Sequence, residues 1–159
     1  MAKNTRATQA LMKAGIAFTL HEYAYDPDAD RIGLQAAEAL REAPGRVLKT
    51  LMAIVDGKPV CAILPSDREV AMKKLAAAFA GKAAQMMKPA EAERITGYHV
   101  GGISPFGQKR VVPVAIERAT LDEAYVFVNG GQRGLQLRLD PQAVARVLNA
   151  AVAPLVAEA

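Results

Sequence analysis

The stretch Val47-Leu48-Lys49-Thr50-Leu51-Met52-Ala53-Ile54-Val55-Asp56-Gly57-Lys58-Pro59-Val60-Cys61-Ala62-Ile63-Leu64 sets the β character of this chain. Two apolar, strand-like runs, Val47 to Val55 and Val60 to Leu64, flank Asp56-Gly57-Lys58-Pro59. An Asp-Gly pair between such runs predicts a hairpin. Upstream, Thr5 is placed to cap a helix that runs through Leu11 and Met12 and stops near Gly15. Ile16 to Tyr23 reads as a strand, Asp26-Pro27-Asp28-Ala29-Asp30 as a polar loop, and Leu34 to Ala43 as a helix closed by Pro44-Gly45. Downstream, Ser66 and Glu69 have the spacing of a capping box for a helix with Val70, Leu75 and Phe79 inward. Pro89 opens a short helix that ends at Gly97. Val111 to Ile116, Ala124 to Val128 and Leu135 to Leu139 read as strands, and Asp140-Pro141 starts a helix from Gln142 to about Ala151. Helices and strands mix without regular strand–helix–strand alternation. The expected class is therefore α+β, a twisted mixed sheet wrapped by helices, not a doubly wound fold.

A chain of 159 residues can bury a core of its own, and residues 1–159 are expected to form one domain. With 52% hydrophobic and 23% charged residues, the composition argues against disorder. Cys61 is the single cysteine, which excludes a disulfide framework. Neither an apolar leader nor a membrane-length run is present, so no membrane partner is expected and a cytoplasmic location is the default. The net charge of +4 is dispersed, which would welcome a polyanion without identifying one. There is no Trp and only 5% aromatic residues, so a base-stacking platform is poorly supplied. Any nucleic acid would be held mainly through its phosphates.

The segment Gly97-Tyr98-His99-Val100-Gly101-Gly102-Ile103-Ser104-Pro105-Phe106-Gly107-Gln108-Lys109-Arg110 concentrates glycine and proline between two elements. Such a loop is either a tight connection or a rigid cradle that presents backbone N–H groups. Phosphate-loop chemistry is excluded, because Gln108 stands where its lysine must be and Arg110 where its hydroxyl residue must be. No metal or other cofactor is expected: His21 and His99 are far apart and neither has a ligand at helical spacing. No nucleophile-elbow sequence is present, and Cys61 in its apolar run reads as a core residue. Lys49 is the residue that stands out. On period-two alternation it shares a face with Val47 and Leu51, so its ammonium either snorkels from an edge or faces an anion or polarised oxygen in a pocket.

His21-Glu22-Tyr23, Asp26-Pro27, Ala36-Ala37-Glu38-Ala39-Leu40, Lys49-Thr50-Leu51, Gly97-Tyr98, Val100 to Gly107 and Gly130-Gly131-Gln132-Arg133-Gly134-Leu135 together resemble the YbaK/EbsC family. That family comprises bacterial free-standing Cys-tRNA(Pro) deacylases related to the editing domain of prolyl-tRNA synthetases. The resemblance extends from about Thr5 to Leu148 and implies a twisted, partly closed mixed sheet surrounded by helices. It also implies trans-editing hydrolysis of cysteine from mischarged prolyl tRNA. By motif, Lys49 would be the essential lysine, and Tyr23 and Gly101 would belong to the substrate pocket. Thr50, Gly102, Ile103, Ser104, Asn129 and Gly130 would be neighbours in the same cleft. Some relatives carry an aspartate directly after the Arg-Gly-Leu turn. Gln136 stands here, so any role for a carboxylate at that point is in doubt.

With no protein nucleophile in view, the resemblance points to the substrate's own thiol attacking its ester, with the protein orienting it and stabilising the oxyanion. The implied partners are the acceptor end of an aminoacylated tRNA and, transiently, prolyl-tRNA synthetase. Lys73, Lys74, Lys109 and Arg110 are candidate contacts to the tRNA, or simply solvated surface. An alanyl-tRNA(Pro) deacylase and a non-catalytic tRNA- or synthetase-binding module are the competing expectations.

Overall fold

A computed structural model describes residues 4–28 and 32–158 of the chain. In order it contains α1 (Arg6–Lys13), β1 (Thr19–Glu22), α2 (Ile32–Leu40), β2 (Leu48–Val55), β3 (Lys58–Pro65), α3 (Met72–Ala78), β4 (Ala84–Met86) and α4 (Pro89–Thr96). There follow β5 (Val114–Glu117), β6 (Val126–Asn129), β7 (Leu135–Leu139), α5 (Pro141–Leu148) and β8 (Ala151–Ala153), with short 3₁₀ turns at Pro44–Arg46 and Arg118–Asp122. The architecture is α+β, as expected.

The β2–β3 hairpin closes through Asp56 and Gly57 at φ +49° and +81°. Both residues are left-handed, the geometry that matches the twist of paired strands. β2 lies between β4 and β3 in a five-stranded sheet of order β4-β2-β3-β5-β8. The hairpin and β4 pair antiparallel, whereas β3–β5 and β5–β8 pair parallel. A second sheet, β1-β7-β6, is wholly antiparallel. The two sheets meet at one isolated parallel bridge, Val47 to Phe127. Closure is limited to that bridge, so the mixed sheet is an open pair of sheets with a single joint.

Period-two alternation splits the apolar residues of the five-stranded sheet between two cores. Met52, Cys61, Ile63, Val114 and Ile116 face the larger core, which takes in Leu11 of α1, Phe106 and Leu137. Ala53, Val55, Val60, Ala62 and Ala115 face the other side with Leu75 of α3 and Leu155. Cys61 is fully buried, and burial pushes its thiol pKa up to about 12.

Local signals placed several elements well. The Thr5 side chain accepts from Thr8 N–H at 3.1 Å and caps α1. Asp140 caps α5 in the same way, accepting from Gln142 N–H at 2.9 Å. The expected capping box at Ser66 and Glu69 does not form. Instead, Ser66 Oγ donates to the Pro44 carbonyl at 3.2 Å and α3 begins only after Ala71. The reason is a tertiary one. The C-terminal tail pairs with residues 69–71, through Ala71 N–H to Leu155 O and Ala157 N–H to Glu69 O, and holds them extended. The last helix also stops earlier than expected. Asn149 turns left-handed at φ +50°, which frees Ala151 to Ala153 to pair with β5.

Glu117 anchors that tail. Its buried carboxylate accepts from Ala119 N–H at 2.9 Å, Leu155 N–H at 2.7 Å and Val156 N–H at 3.2 Å. Burial raises its pKa, but the three backbone donors and the charge of Lys74 outweigh it and leave the group below its ordinary value. A depressed folded pKa contributes stability above the unfolded value of about 4.3, and that stability is lost as pH falls through the lower folded value. Glu117→Gln should therefore cost about 2 kcal/mol at pH 7. In denaturant melts the gap to the parent protein should close below about pH 4. A gap that does not change with pH would show that the charge is not what holds the tail.

Candidate active site

A hollow of about 330 Å³ opens where β2, the β4–α4 connection, the glycine-rich loop and the β6–β7 pair converge. Of the residues expected in a cleft, it brings together Tyr23, Lys49, Thr50, Gly101, Ile103 and Asn129. Successive residues of β2 supply Lys49 and Thr50, both partly buried. Tyr23 follows β1, fixed by its N–H to Gly134 O at 2.9 Å. Asn129 and Gln136 face each other across the β6–β7 ladder, and Gln136 also lines the hollow. The side toward β4 and α4 is apolar, formed by Met86, Met87, Pro89 and Ala92 with Leu51 and Met52. The hollow is thus polar on one side and apolar on the other.

Gly102, Ser104 and Gly130 stand behind this lining. Gly102 N–H is taken by His99 O at 2.8 Å. A Cβ on Gly102 would lie 2.8 Å from Arg133 N and 3.0 Å from the Gln132 carbonyl carbon, so the two glycine-rich segments pack backbone to backbone. Ser104 is fully buried, with its Oγ accepting from Phe106 N–H at 3.2 Å. Gly130 forms a corner: its N–H goes to Leu135 O at 2.9 Å, and its carbonyl accepts from Thr5 Oγ1 at 2.6 Å. The close approach that these glycines permit is to other parts of the chain, where the sequence suggested approach to a ligand.

The wall is braced from outside. Asn129 Nδ2 donates to Gly101 O at 3.2 Å and its Oδ1 accepts from Gly131 N–H at 2.7 Å, so both ends of that amide tie the two loops. Arg133 Nε donates to Val100 O at 2.8 Å, and its guanidinium lies 5.5 Å from the Tyr25 ring centre. Val100 N–H goes to Glu93 Oε2 at 2.8 Å. Among the described residues, the N–H groups of Gly101 and Ile103, both on lining residues, have no intramolecular acceptor.

Burial holds the Tyr23 hydroxyl pKa above its ordinary value, with a hydrogen bond from the Gln136 amide pulling the other way. Tyr23 thus stays protonated at neutral pH and can donate. His21 and His99 lie outside the hollow. His21 Nε2 is 2.8 Å from Thr19 Oγ1, and His99 is exposed, 3.6 Å from Glu93. Among the described residues no group of three His, Cys, Asp or Glu could hold a metal ion, and no helix is long and apolar enough to cross a membrane. Of the surface cations considered for tRNA, Lys74 is tied to Val156 O at 2.9 Å, whereas Lys73, Lys109 and Arg110 are exposed.

A second hollow, of about 380 Å³, lies on the other side of the loop between α1, Pro105 to Gln108 and the end of α5. It is larger, but Lys13 is the one ionisable group among the described residues that line it. The smaller hollow is where the chemistry converges. Sequence reasoning did not find Met86, Met87, Pro89 or Ala92 as lining residues. They come into place through β4 pairing with β2, a contact without a local signal.

Similarity to known proteins agrees with this geometry. The family described as the aminoacyl-tRNA editing domain matches residues 26–147. A candidate Cys-tRNA(Pro)/Cys-tRNA(Cys) deacylase of Enterococcus faecalis, EbsC, is 30% identical over 92% of this chain and 90% of its own length. A proline–tRNA ligase of Anaeromyxobacter dehalogenans is 33% identical over 67% of this chain, which spans 19% of that enzyme. The crystal structure of a candidate trans-editing enzyme for prolyl-tRNA synthetase superposes with a TM-score of 0.84 at 22% identity, covering 96% of both chains. On the extent of the family match and the length of the alignment to EbsC, the chain belongs to the YbaK-type aminoacyl-tRNA editing domain family.

Proposed function

We propose that this protein removes cysteine from mischarged prolyl tRNA in trans, with the substrate thiol as the nucleophile. The observation that carries the reading is a hollow that gathers Lys49, Tyr23 and two loop amides and that, among the described residues, has no cysteine or serine in its lining and no histidine or carboxylate to activate the Thr50 hydroxyl. Cys61 is fully buried with its thiol pKa raised to about 12, and Ser104 is sealed behind the wall. A site built to orient and to stabilise charge suits a substrate that attacks itself.

In the proposed step the cysteine sulfur forms a bond to its own ester carbonyl carbon and the C–O bond to the ribose breaks. The thiol proton passes to the departing ribose oxygen. A strained four-membered cyclic thioester leaves, and water opens it to free cysteine. The loop amides of Gly101 and Ile103, with the Tyr23 hydroxyl, are the donors proposed for the carbonyl oxygen as it gains charge. Lys49 supplies the positive charge near the ester and the terminal ribose. Gly102, Ser104, Asn129 and Gly130 hold the wall in place. Transient association with prolyl-tRNA synthetase would supply the tRNA identity that so small a protein cannot read, and this role places it in the cytoplasm.

The test is release of labelled cysteine, alanine and serine from prolyl tRNA. Cysteine should be released, and serine, which differs by sulfur to oxygen, at least about tenfold more slowly, because an alcohol is the far weaker nucleophile. Equal rates for cysteine and serine would replace the thiol with an activated water. Preferential release of alanine would change the substrate. Release of none would leave a binding module.

A further inference from the structure

Arg133 is exposed, yet its side chain is held in place. Its Nε donates to Val100 O at 2.8 Å, and its guanidinium lies 5.5 Å from the Tyr25 ring centre, within cation–π range. Val100 and Gly101, the residues it rests on, both line the hollow. A Cβ on Gly101 would lie 2.5 Å from the Tyr25 hydroxyl oxygen and 3.2 Å from Arg133 Nε, so this glycine, at φ +91°, is the seat for both polar groups. Among the described residues, neither the Nη groups of Arg133 nor the Tyr25 hydroxyl has a hydrogen-bonding partner. Glu93 is close by, but its carboxylate accepts from Val100 N–H and lies 3.6 Å from His99 Nδ1, and it makes no ion pair with the guanidinium. A long surface side chain ordinarily keeps its rotamer freedom. Here the stem is fixed while the donors at its end are left over, at the rim of the site.

We propose that Arg133, with the Tyr25 hydroxyl, clamps the backbone phosphate that joins the ester-bearing nucleoside to the rest of the tRNA. The proposal rests on the aminoacyl-ester reading above and names the anion by which that substrate is held. The ester hangs on the terminal ribose, and the nearest phosphate is on the 5′ carbon of the same ribose, one sugar away. With the ester in the hollow, that phosphate comes to the rim, across Val100 and Gly101. A guanidinium whose Nε is already engaged still presents its Nη donors to phosphate oxygens, and charge-assisted bonds of this kind are about twice as strong as neutral ones. The tyrosine hydroxyl adds one more donor. Lys49, inside the hollow, is then left for the ester. Aminoacyl esters without a nucleotide lack the anion and are held weakly.

The test uses two probes that resist hydrolysis, with binding measured by calorimetry. One is adenosine carrying cysteine through a 3′-amide in place of the ester, and the other is the same molecule with a methyl phosphate diester at its 5′ carbon. The parent protein should bind the phosphate-bearing probe about tenfold more tightly. Arg133→Gln should reduce that ratio below about twofold by weakening the phosphate-bearing probe alone. Arg133→Lys, which keeps the charge without the fork, should retain about threefold. A tenfold preference that survives Arg133→Gln overturns the proposal, and its loss in Lys49→Met instead would move the phosphate into the hollow. Equal weakening of both probes would make Arg133 a brace of the wall and nothing more, which also overturns the proposal, as does a parent protein without any preference. Deacylation of cysteinyl-tRNA(Pro) measured alongside separates the two readings. Hydrolysis without phosphate preference defeats the phosphate clamp alone, and phosphate preference without hydrolysis defeats the editing reading alone.

Discussion

Replacing Lys49 with alanine is expected to slow deacylation of cysteinyl-tRNA(Pro) by about a thousandfold in single turnover, the effect of removing a preorganised charge from a water-poor site. Among the described residues, Lys49 is the one cation lining the hollow, on a strand whose register with β3 is fixed residue by residue from Leu48 to Val55. The backbone pairing does not depend on that side chain, so the thermal midpoint should move little. Lys49→Met keeps the aliphatic stem and removes only the charge, and should be as inactive as the alanine variant. Lys49→Arg should recover little, because a planar guanidinium cannot occupy the place of a compact ammonium without moving its neighbours. Normal turnover by Lys49→Met would refute the assignment. A large fall in midpoint without specific loss of activity would make the residue structural.

Gly102→Ala should be strongly damaging for a single added methyl group. A Cβ there would lie 2.8 Å from Arg133 N and 3.0 Å from the carbonyl carbon of Gln132, which are backbone atoms that cannot swing aside. Overpacking of this kind costs about 1–3 kcal/mol, and the upper end is expected here. Parting the two loops would also displace Gly101 and Ile103, so deacylation should fall even at temperatures where the variant stays folded. Gly45→Ala is the control. Nothing lies within 4 Å of a Cβ at Gly45, and stability should stay within about 0.5 kcal/mol of the parent. Equal stability of the two variants would mean that the loops are not packed as described.

Elements whose cause is local were legible. The Asp56-Gly57 turn demands left-handed residues and has them; Leu135 to Leu139 is a strand at the expected limits; Thr5 and Asp140 cap the helices they precede. Elements whose cause lies in a partner were not. β4 and β8 are three-residue, alanine-containing edge strands that exist because β2 and β5 offer them a ladder. Ser66 and Glu69 had the spacing of a cap, but pairing of residues 69–71 with the tail overrode it. The site follows the same division. Lys49 is readable because a charge interrupts an apolar strand, whereas Thr50 follows only from the family resemblance. That Asn129 braces the loops, and that Gln136 lines the hollow opposite it on the ladder, depends on cross-strand geometry that no local pattern encodes.

The single bridge between Val47 and Phe127 has a consequence beyond topology. Lys49 and Thr50 lie on one sheet, and Asn129 and Gln136 on the other, so the hollow straddles the joint. A ligand that grips both sides acts as a second rivet beside the first. Occupancy then adds a link between two sheets otherwise held together by that bridge and their shared apolar core, and binding raises the folding stability of the whole by an amount that grows with how tightly the ligand is held.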